Sequence, residues 1–161
     1  MLVFPCGTEQ MVTVGPNEWV WLVQIAAQKE LFGVILSEVK PANIDRARKV
    51  IDIVSVQNLY NLGDRQHEDV LDYCEKEGLA FIPWYPVAAG KLAQPGGKLD
   101  TIAKRHGASV AQLSIAWLLH RSPVILPIPG TSSVAHLEEN LKAAEIVLSD
   151  ADLREIEEAA K

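Results

Sequence analysis

The stretch "IDIVSVQNLYNLGDRQHEDVLDYCEKEGLAFIPW", Ile51 to Trp84, decides the fold. It opens on "IDIVSV", Ile51 to Val56, a short β-branched run that suits a strand. "DRQHEDVLDYCEKEG" then has the pattern of a helix. Asp64 suits the N-cap, Val70, Leu71 and Cys74 give one apolar face, and Gly78 stops it. "LAFIPW", Leu79 to Trp84, is the next strand. Strand, helix and strand in that order make a βαβ unit.

The same alternation extends both ways. Upstream, "FGVIL" (Phe32 to Leu36) suits a strand, and "PANIDRARKV" a helix. In that helix Pro41 takes the first position, and Ile44, Ala47 and Val50 share one face. Downstream, a Gly/Pro-rich loop from Pro86 to Lys98 leads into "LDTIAKRHG", a short helix ended by Gly107. "SVAQLSIAWLLH" opens with a capping box, Ser109 and Gln112, and buries Leu113, Ala116 and Trp117. "VILPI" (Val124 to Ile128) is the expected fourth strand. "SVAHLEENLKAAE" is the helix after it, with Leu137, Leu141 and Ala144 inward. A last helix, "DADLREIEEAA", begins after Ser149 as its N-cap.

Apolar strands alternating with helices imply an α/β fold, a parallel sheet covered by helices. Four βα units are about half of an eight-stranded (β/α)8 TIM barrel. A doubly wound open sheet is the alternative, although no G-x-G-x-x-G follows the first strand. Residues 1–30 are different: mixed apolar residues surround Gly15-Pro16, and Glu18 to Lys29 suits one helix. The expected organisation is an atypical segment over 1–30 and the barrel portion over 31–161.

Bulk composition narrows the function. The chain has 161 residues, 48% hydrophobic and 22% charged, with a formal net charge of -6. It has no Lys/Arg-rich stripe, so nucleic acid is not an expected partner. No run reaches the ~18 apolar residues of a membrane span. The opening "MLVFPCGTEQ" has no basic n-region, so no secretory signal is expected, and Cys6 is treated as a small apolar residue. Two cysteines, Cys6 and Cys74, fit a reducing compartment, the cytoplasm.

Ligands of parallel α/β folds bind at the carboxyl ends of the strands. There the chain carries Ser37-Glu38, then Gln57-Asn58-Leu59-Tyr60-Asn61, then Trp84-Tyr85-Pro86, then Pro129-Gly130-Thr131-Ser132-Ser133. Amide, aromatic and hydroxyl groups on one rim suit a flat aromatic ligand bearing phosphates, and taken alone they equally suit ordinary turn chemistry. "GTSS" at a helix mouth suits an anion, and it equally suits simple helix capping.

Two long motifs carry a resemblance: "SVQNLYNLGDRQHEDVLDYCEKEGLAFIPWYPVAAGKL" and "HGASVAQLSIAWLLHRSPVILPIPGTSSVAHLEENLKAA". They resemble the carboxyl-terminal half of bacterial aldo-keto reductases, from about Leu31 to the end. The resemblance implies a barrel that binds NADPH, with NAD as the alternative cofactor. By resemblance, Ser37, Glu38 and Gln57 stand where the family grips the nicotinamide carboxamide, with Glu38 in place of its Asn. Trp84 stands at the ring-stacking position. Tyr85, Pro86, Val87 and Gly90 begin the loop over the pyrophosphate. Gly130, Thr131 and Ser132 match the 2'-phosphate segment, His136 takes the place of an Arg there, and Glu139 and Asn140 match the adenine pair. His136 and Gly130 depart from the cations found in other members, which leaves NADPH against NADH open.

The family's catalytic Asp, Tyr, Lys and His belong to its first half, so no catalytic residue is carried over, and no metal site is expected. Tyr60, Lys91, Lys98, His67, His106 and His120 form no substitute set by motif, and the histidines suit ordinary surface positions. The expected function is a carbonyl-to-alcohol oxidoreductase present as its cofactor-binding half. Such a half is inactive alone and takes a small carbonyl substrate only when the other half is supplied. Its open barrel edges would favour a homodimer. The alternatives are a non-catalytic nicotinamide-nucleotide-binding module, an inactive remnant and, more weakly, a phosphosugar enzyme.

Overall fold

The computed structural model describes residues 10–15, 18–22, 26–27, 30–31, 33–88 and 95–160. The chain divides into two units, Met1–Asn58 with His67–Ile82, and Leu59–Gln66 with Pro83–Lys161.

In the first unit, β1 (Gln10–Gly15) and β2 (Glu18–Leu22) pair antiparallel, as do the two-residue strands β3 (Ala26–Ala27) and β4 (Glu30–Leu31). The helix expected over Glu18 to Lys29 is therefore corrected to strand over its described residues, 18–22 and 26–27. "EWVWL" alternates aromatic and β-branched residues that favour extended backbone, and Gly15-Pro16 separates it from its partner strand.

The main sheet has the order β5 (Val34–Ser37), β6 (Ile53–Leu59), β7 (Ala80–Trp84). β5 and β6 run parallel, Val34 opposite Ile53 and Ser37 opposite Gln57. Gly33 makes that pairing feasible. Its φ is +153, and a Cβ there would lie 2.1 Å from Cγ1 of Val54. Helix α1 (Pro41–Arg48) connects β5 to β6, and α2 (Glu68–Glu77) connects β6 to β7. Arg48 joins the two helices, bonding Glu77 at 2.6 Å and the Tyr73 hydroxyl at 3.2 Å. Val34, Leu36, Ile44, Val56, Val70, Leu71, Cys74 and Phe81 are buried, as the alternation predicts. Val50 is not: it lies past the end of α1 and is exposed. Asp64 does not cap α2 either. Its carboxylate accepts from the Gln66 N–H, and the helix starts after His67 without a side-chain cap.

The second unit is helical: α3 (Lys98–Arg105), α4 (Val110–Arg121), α5 (Val134–Lys142) and α6 (Asp150–Ala159), with a 3-10 turn over Ala143–Glu145. The capping box at Ser109 and Gln112 is formed, and Ser149 with Asp152 forms a second. Trp117 anchors the core. It stacks on the buried Tyr60 at 6.0 Å, lies 4.5 Å beneath the Arg65 guanidinium and donates its indole N–H to Glu157 at 3.4 Å.

The fourth strand is the second correction. Of Val124 to Ile128 only Ile125 makes a β-bridge, while Leu126 and Ile128 are exposed. Pro127 and Pro129 have no N–H to give a ladder. The third concerns α5. Leu137, Leu141 and Ala144 face solvent, and Ala143 is buried instead. The Glu139 carbonyl receives the Gln112 side-chain N–H at 2.9 Å. At ~100° per residue, 139 and 143 lie on the side of the helix roughly opposite the leucines. Among the described residues no helix is long and apolar enough to cross a membrane.

Candidate nucleotide-binding site

In the first unit the parallel register brings two predicted residues together. Ser37 and Gln57 face each other at the carboxyl ends of β5 and β6. The Glu38 N–H donates to the Gln57 carbonyl at 3.0 Å, so the bend after β5 closes onto β6. Glu38 takes φ +54, in the left-handed region. Its carboxylate lies 3.7 Å from Nε2 of His67, the residue that precedes α2.

Asn58 holds this corner in place. Successive strand residues point to opposite faces, so Gln57 is half-buried and Asn58 fully buried. The Asn58 amide accepts the Val39 N–H at 3.1 Å and donates to the Val39 carbonyl at 2.8 Å. The two residues after Ser37 are thereby fixed to the end of β6. From sequence Asn58 is one more rim amide, and His67 is a surface residue. An asparagine beside a glutamine where a strand ends is the signal for the first. Nothing local signals the second.

In the second unit, β7 delivers Trp84 and Tyr85 side by side, ring centroids 6.1 Å apart and planes at 56°, both partly exposed. The Tyr60 N–H donates to the Trp84 carbonyl at 3.5 Å. A tight turn follows: the Ala88 N–H donates to the Tyr85 carbonyl at 3.1 Å, with Tyr85 at φ +62 and Ala88 at φ +50. Pro86 is buried and Val87 half-buried; Gly90 lies outside the described residues. Glu38, Tyr85 and Ala88 are the described non-glycine residues with positive φ. All three follow the carboxyl end of a strand, and backbone strain of ~1–3 kcal/mol per residue gathers at functional sites.

Gly130, Thr131 and Ser132 are exposed ahead of α5. Thr131 Oγ1 accepts the Ser133 N–H at 3.1 Å, and Ser133 Oγ accepts the His136 N–H at 3.5 Å. The capping reading thus falls to Ser133, and the exposed residues before it remain available to an anion. His136 and Glu139 are exposed, and Asn140 is half-buried. A separate cleft of about 310 Å³ in this unit is lined by Leu62, Gly63, Arg65, Glu157 and Ala160, none of them a predicted site residue. No group of three potential metal ligands occurs among the described residues.

The profile of the aldo/keto reductase family matches residues 33–161. The chain belongs to the aldo/keto reductase family. It is 51% identical over 141 residues to an uncharacterized oxidoreductase of Schizosaccharomyces pombe, covering 86% of this chain and 46% of the relative. It is 44% identical over 115 residues to the pyridoxine 4-dehydrogenase of Escherichia coli, covering 71% of this chain and 40% of the relative. Among solved structures, a Klebsiella pneumoniae aldo/keto reductase in complex with NADP and acetate matches with TM-score 0.70 and 30% identity. That match covers 76% of this chain and 46% of the other. A thermostable aldo-keto reductase bound to the inhibitor epalrestat gives TM-score 0.70 at 34% identity, with the same coverage. The chain thus spans less than half the length of these relatives. The likeness decides between the two α/β arrangements: the fold is part of a (β/α)8 barrel, not a doubly wound sheet.

Proposed function

We propose that this chain is the nicotinamide-nucleotide-binding portion of a carbonyl reductase, with NADPH as its cofactor and NADH as the weaker alternative. Ser37, Glu38 and Gln57 take the carboxamide, and Trp84 takes the ring. Tyr85, Pro86, Val87 and Gly90 belong to the segment along the pyrophosphate. Gly130, Thr131, Ser132 and His136 receive the 2'-phosphate, and Glu139 and Asn140 receive the adenine. The observation that carries this reading is the pinned corner of Ser37, Glu38 and Gln57, held by the buried Asn58 clasp.

The side chains present fit the group. A carboxamide needs a donor for its oxygen and acceptors for its NH2, and Ser37, Glu38 and Gln57 supply both kinds. A partly exposed indole suits ring stacking, and backbone N–H groups at a helix mouth suit a phosphate. When bound, the reduced nicotinamide supplies the hydride for carbonyl reduction. This chain's residues orient the nucleotide. We assign none of them as the acid that protonates the product oxygen. Tyr60, the rim tyrosine, is fully buried against Trp117.

Reduction of a small carbonyl substrate would therefore need a complementary barrel half. The exposed Val134, Leu137 and Leu141 on α5 support association with that half or with a second copy. A domain running over 31–161, with 1–30 outside the barrel, accords with the family match from residue 33. The buried, unbridged thiol of Cys74 suits the cytoplasm.

Titration calorimetry with NADPH and NADH tests the reading. Saturable micromolar binding of NADPH, tighter than NADH, is expected, with carbonyl reduction only after the complementary half is added. Absence of binding at millimolar nucleotide would remove it. Binding without reduction in the reconstituted protein would favour a non-catalytic binding module.

A further inference from the structure

We propose that Glu38 makes the site favour the oxidised nicotinamide over the reduced one, more than an amide at this position would. The inference rests on the assignment of Ser37, Glu38 and Gln57 to the carboxamide.

Three observations place a charge there. Glu38 is exposed, so its carboxylate can meet a ligand. Its backbone is fixed, by its own N–H on the Gln57 carbonyl and by the Asn58 clasp on the neighbouring Val39. It holds φ +54, a conformation that costs a glutamate more than a glycine or an asparagine. The other side chains of this corner, Ser37, Gln57 and Asn58, are neutral. His67 is an ionisable neighbour, its Nε2 3.7 Å from the carboxylate.

Charge, not hydrogen bonding, separates the two forms of the ligand. The oxidised ring carries one positive charge; gaining a hydride, two electrons and a proton, makes it neutral. The carboxamide is the same in both, so every hydrogen bond it makes is shared. A carboxylate beside the ring attracts only the cation, and only such differential affinity shifts an equilibrium. An asparagine or glutamine would satisfy the carboxamide without this bias. For a solvent-exposed charge the expected preference is about twofold to fivefold.

The test uses the full chain and reads binding, not turnover. Dissociation constants for NADPH and NADP+ are measured for the wild type, Glu38→Gln and Glu38→Lys. The quantity compared is Kd(NADP+)/Kd(NADPH). Glu38→Gln is expected to raise it about twofold to fivefold, and Glu38→Lys further. Damage to the fold or to the site in general moves both constants together and leaves the ratio in place. A ratio unchanged in both variants while NADPH still binds overturns this inference and spares the nucleotide reading. A wild type that binds neither nucleotide overturns both.

Discussion

The corner at Glu38 and the segment from Leu126 to Leu141 both follow an apolar run, yet they are built differently. At the first, Asn58 is fully buried and satisfies both backbone groups of Val39, while Val39 is itself buried. At the second, order comes from local contacts, Thr131 on Ser133 and Ser133 on His136, with one exposed long-range bond from Gln112 to the Glu139 carbonyl. Leu126, Val134, Leu137 and Leu141 face solvent. A site supported by buried polar bonds is preorganised before the ligand arrives. A site supported mainly by caps is ordered chiefly at the level of the helix.

Substitutions can break this comparison. Asn58→Ala is expected to have the largest effect. It deletes two hydrogen bonds and leaves Val39 N–H and C=O buried without partners, a loss of about 2–4 kcal/mol read from urea unfolding. A loss below about 0.5 kcal/mol would equate the two regions.

Ser149→Ala comes next and sharpens the meaning of a cap. The Ser149 hydroxyl, first, and its backbone N–H hold the Asp152 carboxyl down to about 2, with His106 adding to the effect. A lowered carboxyl contributes stability above its ordinary value of 3.8, and that contribution is lost as pH falls toward about 2. The variant should lose about 1 kcal/mol at neutral pH and unfold with a flatter acid limb between those values, followed by circular dichroism. An unaltered acid limb would mean that the hydroxyl does not hold Asp152.

Ser133→Ala removes a longer cap, 3.5 Å, that holds no carboxylate. About 0.5 kcal/mol or less is expected in the same unfolding assay, with no change in pH dependence. Leu141→Lys should change stability least, by less than about 0.5 kcal/mol, since the side chain is already exposed. If α5 docks on a second copy, this variant shifts the sedimentation coefficient to that of the monomer. A loss of several kcal/mol would mean that α5 is packed after all.

How much was legible in the sequence follows the same division. The box at Ser109, the N-cap at Ser149, the αL stop at Gly78 and the buried faces of α2 and α4 depend on neighbours a few residues away, and a pattern reads them. Ser37 beside Gln57 followed from placing residues at the ends of parallel strands. The strand at Val124 to Ile128 failed because a strand needs a partner and N–H groups, and Pro127 and Pro129 supply none. The inward stripe on α5 failed because periodicity finds an apolar face without showing what covers it. "EWVWL" failed as a helix because helix and strand periods blur over so few residues. His67 escaped because its contact with Glu38 joins the end of one strand to the helix after the next.

The central claim, that this chain holds a nicotinamide nucleotide against Trp84, is tested most directly by tryptophan fluorescence during NADPH titration of the wild type and of Trp84→Phe. The account predicts saturable quenching in the wild type at micromolar NADPH, and a smaller quenching amplitude in the variant, in which Trp19, Trp21 and Trp117 remain. No quenching up to millimolar NADPH, or identical quenching in the two proteins, would contradict it.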